Sequence, residues 1–226
     1  MKTVTKKMLG LALASTAMAL SLPATADTEI VPASYSFDRF TDCGSWCYHD
    51  TNGPAVRSGT TLTDGIYGTE GWAVNAGAEW LGWLNDSPVN IDFDFGSLKH
   101  VDTIKVGSTQ DNLIDVVLPN VDVYQKLGLT WSLVGSLVTP ESAANNRNSL
   151  SSAPHGFLTL SNLNINSQFV RVSLRHSLNG PWTFTDEVDF YASAAPVPEP
   201  ETYAMMLTGL GLMGLVARRR KRARSG

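Results

Sequence analysis

Residues 89–95 read Val-Asn-Ile-Asp-Phe-Asp-Phe and alternate apolar and polar side chains without a break. Successive side chains of a β-strand point to opposite faces, so the four apolar residues of this segment share one face. Residues 168–174 repeat the same period. Each segment therefore predicts a strand with one face in a core and the other in water.

Seven further short segments predict strands, and Gly, Pro, Asn and Asp residues separate them as turns require. These segments are 34–40, 101–106, 114–118, 121–125, 130–134, 157–160 and 188–191. The region has no convincing 3.6-residue period of the kind that marks an amphipathic helix. Short strands at this spacing predict an all-β fold, either a sandwich or a barrel.

The N-terminal segment 1–26 predicts a secretory signal peptide. Three lysines precede an apolar run at 8–22, and Ala24 and Ala26 supply small residues for cleavage after Ala26. The folded domain, predicted at 27–195, would then lie in an oxidising compartment.

The C-terminal segment 196–226 combines three features in a fixed order. The motif Val197-Pro198-Glu199-Pro200 comes first, an apolar stretch at 204–217 follows, and Arg218, Arg219 and Arg220 begin a basic cluster. A helix of 14 apolar residues reaches about 21 Å, short of a hydrocarbon core of about 30 Å. The arginines predict that this short transmembrane helix keeps its C-terminal end in the cytoplasm. An ordinary membrane anchor is the alternative.

This C-terminal pattern resembles the PEP-CTERM sorting signal. The resemblance implies an exosortase substrate of a Gram-negative bacterium that makes exopolysaccharide. It implies that secretion machinery exports the chain, that the inner membrane holds it transiently through 204–217, and that the tail is cut near the Pro-Glu-Pro motif. The mature protein would reach the cell surface or the extracellular matrix.

The order of motifs across about 55–192 resembles discoidin-like, galactose-binding-like jelly rolls. These motifs include Leu62-Thr63-Asp64-Gly65, the strand at 89–95 followed by Gly96, and the closing segment 182–191. The resemblance implies a jelly-roll β-sandwich of the kind found in carbohydrate-binding modules. It also implies a structural Ca²⁺ held by Asp64 and Glu187, because an Asp-Gly loop and a late glutamate supply oxygen ligands. The alternative is that Asp64 only forms a turn and Glu187 is solvated.

Tryptophans are the predicted carbohydrate contacts, because an indole can stack on the apolar face of a sugar ring. Trp80 and Trp83 are followed by Asn85 and Asp86, whose side chains could bond sugar hydroxyls. We expect these four residues in a loop that binds ligand, with packing in the core as the alternative. The remaining tryptophans of the strand region, Trp72, Trp131 and Trp182, are expected to fill the core.

The two cysteines, Cys43 and Cys47, predict a small disulfide loop in the exported protein. A redox pair is disfavoured, because three residues separate the thiols and no thioredoxin-like βαβ pattern surrounds them. A zinc site that uses His49 lacks further ligands at suitable spacing.

Enzymatic activity and nucleic-acid binding are both disfavoured. The four histidines are scattered, and no Gly-x-Ser-x-Gly elbow or phosphate-binding glycine loop occurs. Asp92 and Asp94 share one strand face and are interpreted as solvated. Residues 27–200 contain eight basic and twenty acidic residues, which would repel a phosphate backbone.

The sequence therefore predicts an exported, non-catalytic surface or matrix protein whose β-sandwich binds carbohydrate. One alternative is a structural biofilm-matrix protein without a specific ligand. Another is a glycan hydrolase whose site assembles only in three dimensions.

Overall fold

The computed structural model describes residues 27–44, 47–69, 72, 79–110, 115–139, 155–177, 180–193, 207–211 and 213–214. One compact unit spans Ala26–Ala194, and residues 1–25 and 195–226 form a second. The described part of the first unit contains one short 3-10 helix, Thr61–Thr63, and these strands: β1 Thr28–Glu29, β2 Ser34–Phe37, β3 Leu81–Leu84, β4 Val89–Val101, β5 Thr103–Ser108, β6 Asn120–Leu127, β7 Thr130–Leu137, β8 Gly156–Leu160, β9 Ile165–Arg175, β10 Trp182–Thr185 and β11 Val188–Ala192.

The strands form a jelly-roll β-sandwich, which confirms the predicted fold class. Five strands make one sheet in the order β2-β4-β9-β6-β7, and four make another in the order β1-β11-β5-β8. A separate pair joins β3 to β10. Every pair of named strands is antiparallel, and most neighbours in a sheet are distant in sequence.

The core lies between the two larger sheets and contains the apolar face that the alternation predicts. All four apolar residues of 89–95 are buried. Phe93 packs on Phe190 of β11 with ring centres 4.8 Å apart. The opposite face of the same strand carries Asp92 and Asp94, which are half-buried on the outside of the sheet.

Strand β4 continues past the predicted segment, which corrects the predicted strand at 101–106. Its pairing with β9 shifts register between Asp94 and Lys99, and Gly96 adopts a φ of 72° within that bulge. Glycine reaches this left-handed conformation without a steric cost, so the strand can bend and continue. The next strand consequently begins at Thr103.

One strand, β3, departs from the alternation of apolar and polar residues. β3 reads Leu-Gly-Trp-Leu and has no polar position, because both of its faces are covered by protein. Its partner β10 reads Trp-Thr-Phe-Thr and does alternate, although both of its threonines are buried. The predicted strand at 114–118 is not formed in the described residues 115–118, where Val116 makes only an isolated bridge to Trp182.

The predicted signal peptide lies outside the described residues, as does the Val-Pro-Glu-Pro motif. Within the tail, residues 207–211 and 213–214 are helical. Among the described residues, no helix is long and apolar enough to cross a membrane.

Candidate functional site

The two tryptophans predicted to stack on a sugar are fully buried, which corrects that prediction. Trp83 lies in β3 and meets Phe37 edge to face, with ring centres 5.6 Å apart. Trp80 packs in a second aromatic cluster with Tyr48 and Phe184. Burying an indole gains more free energy than exposing it, and in this structure neither ring offers a face to a ligand.

The two polar residues predicted to assist the tryptophans lie at the turn after β3. Asn85 is exposed, has a φ of 59°, and donates its backbone N–H to the Pro181 carbonyl at 2.6 Å. The carboxylate of Asp86 lies 3.7 Å from the Arg39 guanidinium. The structure therefore separates these polar groups from the buried rings and assembles no carbohydrate site from the four residues.

The loop that carries the first predicted metal ligand, Asp64, contacts the second, Glu187, through its backbone. The 3-10 helix ends at Thr63, Asp64 is its C-cap residue, and Gly65 then turns with a φ of 76°. This turn aims the Gly65 N–H at Glu187, whose Oε2 accepts it at 3.1 Å. Asp64 Oδ1 accepts the Ile66 N–H at 2.9 Å. One oxygen of each carboxylate therefore bonds the loop backbone, and a carboxylate has two oxygens that can accept.

Negative charge accumulates around Glu187. Burial raises the pKa of Glu187 to about 8, and the charges of Asp189, Asp64 and Asp186 add to the shift. Burial also raises the pKa values of Asp64 and Asp189. A set of oxygen donors with excess negative charge fits Ca²⁺, which prefers carboxylate and carbonyl ligands. Bound Ca²⁺ would supply positive charge and hold the Asp64 loop against β11.

The outer face of the five-stranded sheet carries a group of charged, aromatic and aliphatic side chains that the sequence analysis did not predict as a site. Cross-strand pairing, together with the contact of Lys126 with the Phe169 ring, aligns them in two rows across four strands. We call them the outer platform: Asp92, Arg171, Tyr124 and Leu133 in one row, and Asp94, Phe169, Lys126 and Trp131 in the other. Leu133 is 55% exposed, and the other members are half-buried.

Cations hold the aromatic rings of the outer platform. The Arg171 guanidinium lies 4.4 Å from the centre of the Trp131 ring. Lys126 Nζ lies 5.6 Å from the Trp131 ring centre and 4.8 Å from that of Phe169. Asp92 fixes Arg171 in turn through two hydrogen bonds of 2.6 and 2.8 Å. The side chains are thus ordered before any ligand arrives.

Trp131 was expected in the core, and its position outside has a local cause. It pairs directly with Lys126 across the β6–β7 hairpin, so both side chains point to the same outer face. The alternation of side chains along β6 indicates this position. Val121 and Val123 are buried, so Lys126, at an even number of the same strand, lies on the opposite face.

The C-terminal segment was compared with known protein families. Residues 196–221 match the PEP-CTERM protein-sorting motif. This motif marks the chain as an exported protein that exosortase processes at the membrane, which confirms the resemblance seen in the sequence. A comparison with curated proteins found no match.

Several solved carbohydrate-binding modules are similar to this chain in structure. The CBM32 of AlyQ, in complex with 4,5-unsaturated mannuronic acid, is 15% identical with a TM-score of 0.46, covering 74% of this chain and 99% of its own. The family 32 module of NanJ from C. perfringens, in complex with galactose, is 12% identical with a TM-score of 0.47, covering 74% and 100%. A pectin-binding module is 10% identical with a TM-score of 0.45, covering 74% and 94%.

Proposed function

We propose that this protein is a non-catalytic carbohydrate-binding protein and that the outer platform is its contact surface. The observation that carries the proposal is the pair of partly exposed rings, Trp131 and Phe169, on a rigid sheet. Aromatic faces take up the apolar side of a sugar, and neighbouring charged groups bond its hydroxyls. Asp92 and Asp94 supply acceptors, and Lys126 supplies donors.

Preorganisation favours this surface over a loop. The platform residues are fixed by the sheet and by the cation–ring contacts, so binding would cost little side-chain entropy. A flat face of two rows suits an extended polysaccharide better than a single small sugar, because several sugar units could contact the sheet together.

Two alanine variants test the platform. We expect Trp131→Ala and Phe169→Ala each to weaken binding to polysaccharide about fivefold to thirtyfold, since a lost stacking contact is worth roughly 1–2 kcal/mol. The matched control is Phe40→Ala, because Phe40 is 52% exposed, has a guanidinium 5.1 Å from its ring centre in Arg57, and is not a member of the outer platform. Affinity electrophoresis against neutral and uronate-containing polysaccharides measures the retention of each variant.

The outcomes separate the proposal from its rivals. If Phe40→Ala weakens binding as much as Trp131→Ala, the platform is not the contact surface. If the unaltered protein binds no polysaccharide at all, the chain is a structural matrix protein without a specific ligand.

We also propose that Asp64 and Glu187 bind a structural Ca²⁺. The support is their shared oxygen-rich loop and the raised pKa of Glu187, which a cation would reverse. Isothermal titration of the chelator-treated protein with CaCl₂ tests the site, and Glu187→Gln should abolish the heat of binding. Equal heats in the two proteins would contradict the assignment.

The export route is proposed to end outside a Gram-negative cell, at the surface or in a biofilm matrix. The tail would be cut near Val197-Pro198-Glu199-Pro200 after the arginines at 218–220 have kept its end in the cytoplasm. Mass spectrometry of the exported protein tests this, and a mature form that still ends at Gly226 would contradict it.

A further inference from the structure

The disulfide loop places a histidine against one of its two sulfurs. Cys43 and Cys47 form a disulfide bond, as the sequence predicts, and both residues are exposed. His49 Nε2 lies 3.1 Å from Cys43 Sγ. The other ring nitrogen, Nδ1, lies 2.8 Å from the hydroxyl of Thr41, a residue that is only 5% exposed. When the Thr41 hydroxyl donates to Nδ1, the ring proton is on Nε2 and faces the sulfur.

This contact makes the two sulfurs unequal. A proton at Nε2 stabilises negative charge on Cys43 Sγ, and thiol–disulfide exchange is faster when the departing thiolate is stabilised. Among the described residues, His49 makes its hydrogen-bond contact with Cys43 Sγ, at 3.1 Å, whereas Cys47 Sγ lies within 4.8 Å of the ring without such a contact. An attacking thiolate should therefore bond to Cys47 and expel Cys43.

The ends of the loop are held without the disulfide. Asp42 donates its backbone N–H to the Gly82 carbonyl at 2.9 Å, and Tyr48 donates to the Asp42 carbonyl at 3.1 Å. The Gly82 N–H returns to the Tyr48 carbonyl at 3.2 Å, and the Tyr48 side chain is fully buried. Opening the S–S bond therefore leaves the chain anchored on both sides of the loop, which is a requirement for reversible exchange.

We propose that Cys43–Cys47 is an exchange-active disulfide that oxidises external thiols, with Cys47 as the attacked sulfur and His49 as the residue that stabilises the Cys43 thiolate. An external thiolate bonds to Cys47 Sγ as the S–S bond breaks, and its electron pair leaves on Cys43. A second external thiolate then bonds to the first thiol's sulfur and releases the Cys47 thiolate. The two external thiols become one disulfide, and the protein gains two electrons and, at neutral pH, protons from water.

The test uses glutathione as the thiol and the intact chain. After an acid quench, peptide mass spectrometry should find the first glutathione adduct on Cys47. His49→Asn should slow reduction about fivefold to tenfold. The matched control is His100→Asn, because His100 is an exposed histidine that contacts Asn166 and not a sulfur, and this variant should react at the unaltered rate.

Single-cysteine variants test the asymmetry without any disulfide. Cys47→Ser leaves Cys43 beside His49, and Cys43→Ser leaves Cys47 without that contact. Iodoacetamide should alkylate the first variant at least about threefold faster at neutral pH. An adduct on Cys43, equal rates for the unaltered protein and His49→Asn, or reduction only at the rate of global unfolding would each overturn the proposal.

Discussion

Ionising the buried Glu187 carboxyl group costs free energy in the folded protein, and replacing Glu187 with glutamine measures that cost. Its pKa lies at about 8 in the folded protein against an ordinary value of 4.5. Between those values the unfolded chain ionises Glu187 while the folded protein keeps the proton, so rising pH stabilises the unfolded state. This pKa shift corresponds to at most roughly 5 kcal/mol of unfolding free energy. Because the side chain can relax toward water, we expect a smaller effect of about 2 kcal/mol.

With chelator present, we expect the unaltered protein to lose about 2 kcal/mol of unfolding free energy through this group between about pH 5 and about pH 8.5. Glu187→Gln lacks that loss, because a glutamine does not ionise and its side-chain oxygen can still accept the Gly65 N–H. The variant should therefore match the unaltered protein at about pH 5 and exceed it by about 2 kcal/mol at about pH 8.5.

Urea unfolding followed by tryptophan fluorescence measures these free energies. The control is Glu29→Gln, which removes an exposed carboxylate from β1 and should change the free energy by less than about 0.5 kcal/mol. Saturating CaCl₂ should raise the stability of the unaltered protein and close the gap at high pH, because only the ionised carboxylate binds the cation well. A variant that is no more stable than the unaltered protein at about pH 8.5, with chelator, would refute the reasoning.

Two further predictions concern packing. Trp83→Ala should lower the unfolding free energy by about 3–5 kcal/mol, because it leaves a cavity in the core. Trp131→Ala should lower it by about 1 kcal/mol or less, because this side chain is only half-buried. Equal losses in urea unfolding would contradict the assignment of the two tryptophans to opposite faces. Gly68→Ala should destabilise by about 1–3 kcal/mol, because a Cβ at Gly68 would overlap the buried Trp80 ring. Its control is Gly156→Ala, where a Cβ meets open space, and a thermal midpoint that moves equally in both would count against the contact.

The strands that were predicted well are those with one face in water. Alternation at 89–95 and 168–174 reports a sheet with a core side and a solvent side, so β4 and β9 could be placed from the sequence. β3 could not be placed, because a strand covered on both faces has no period to detect. Trp83 within this strand and Trp80 just before it are consequently interpreted from the sequence as loop residues that bind ligand, with core packing as the alternative.

The outer platform shows a second limit. Trp131 and Phe169 lie 38 positions apart in the sequence, and only the registers of β7 on β6 and of β6 on β9 bring them beside Lys126. Register depends on hairpin geometry and on a bulge at Val123, neither of which the apolar pattern encodes. The approach of Glu187 to the Asp64–Gly65 loop joins residues 122 positions apart, and only the resemblance in motif order predicts it from the sequence.

The sequence by itself determined that this chain is a β protein with one sheet face buried, that it carries an export signal at its C-terminal end, and that Cys43 and Cys47 pair. These are properties of neighbours along the chain, where side-chain period, charge order and spacing act directly. The tertiary structure decided that Trp83 fills the core and Trp131 faces water. That choice depends on which surfaces a second sheet covers, and covering is a property of the packed molecule rather than of any one segment.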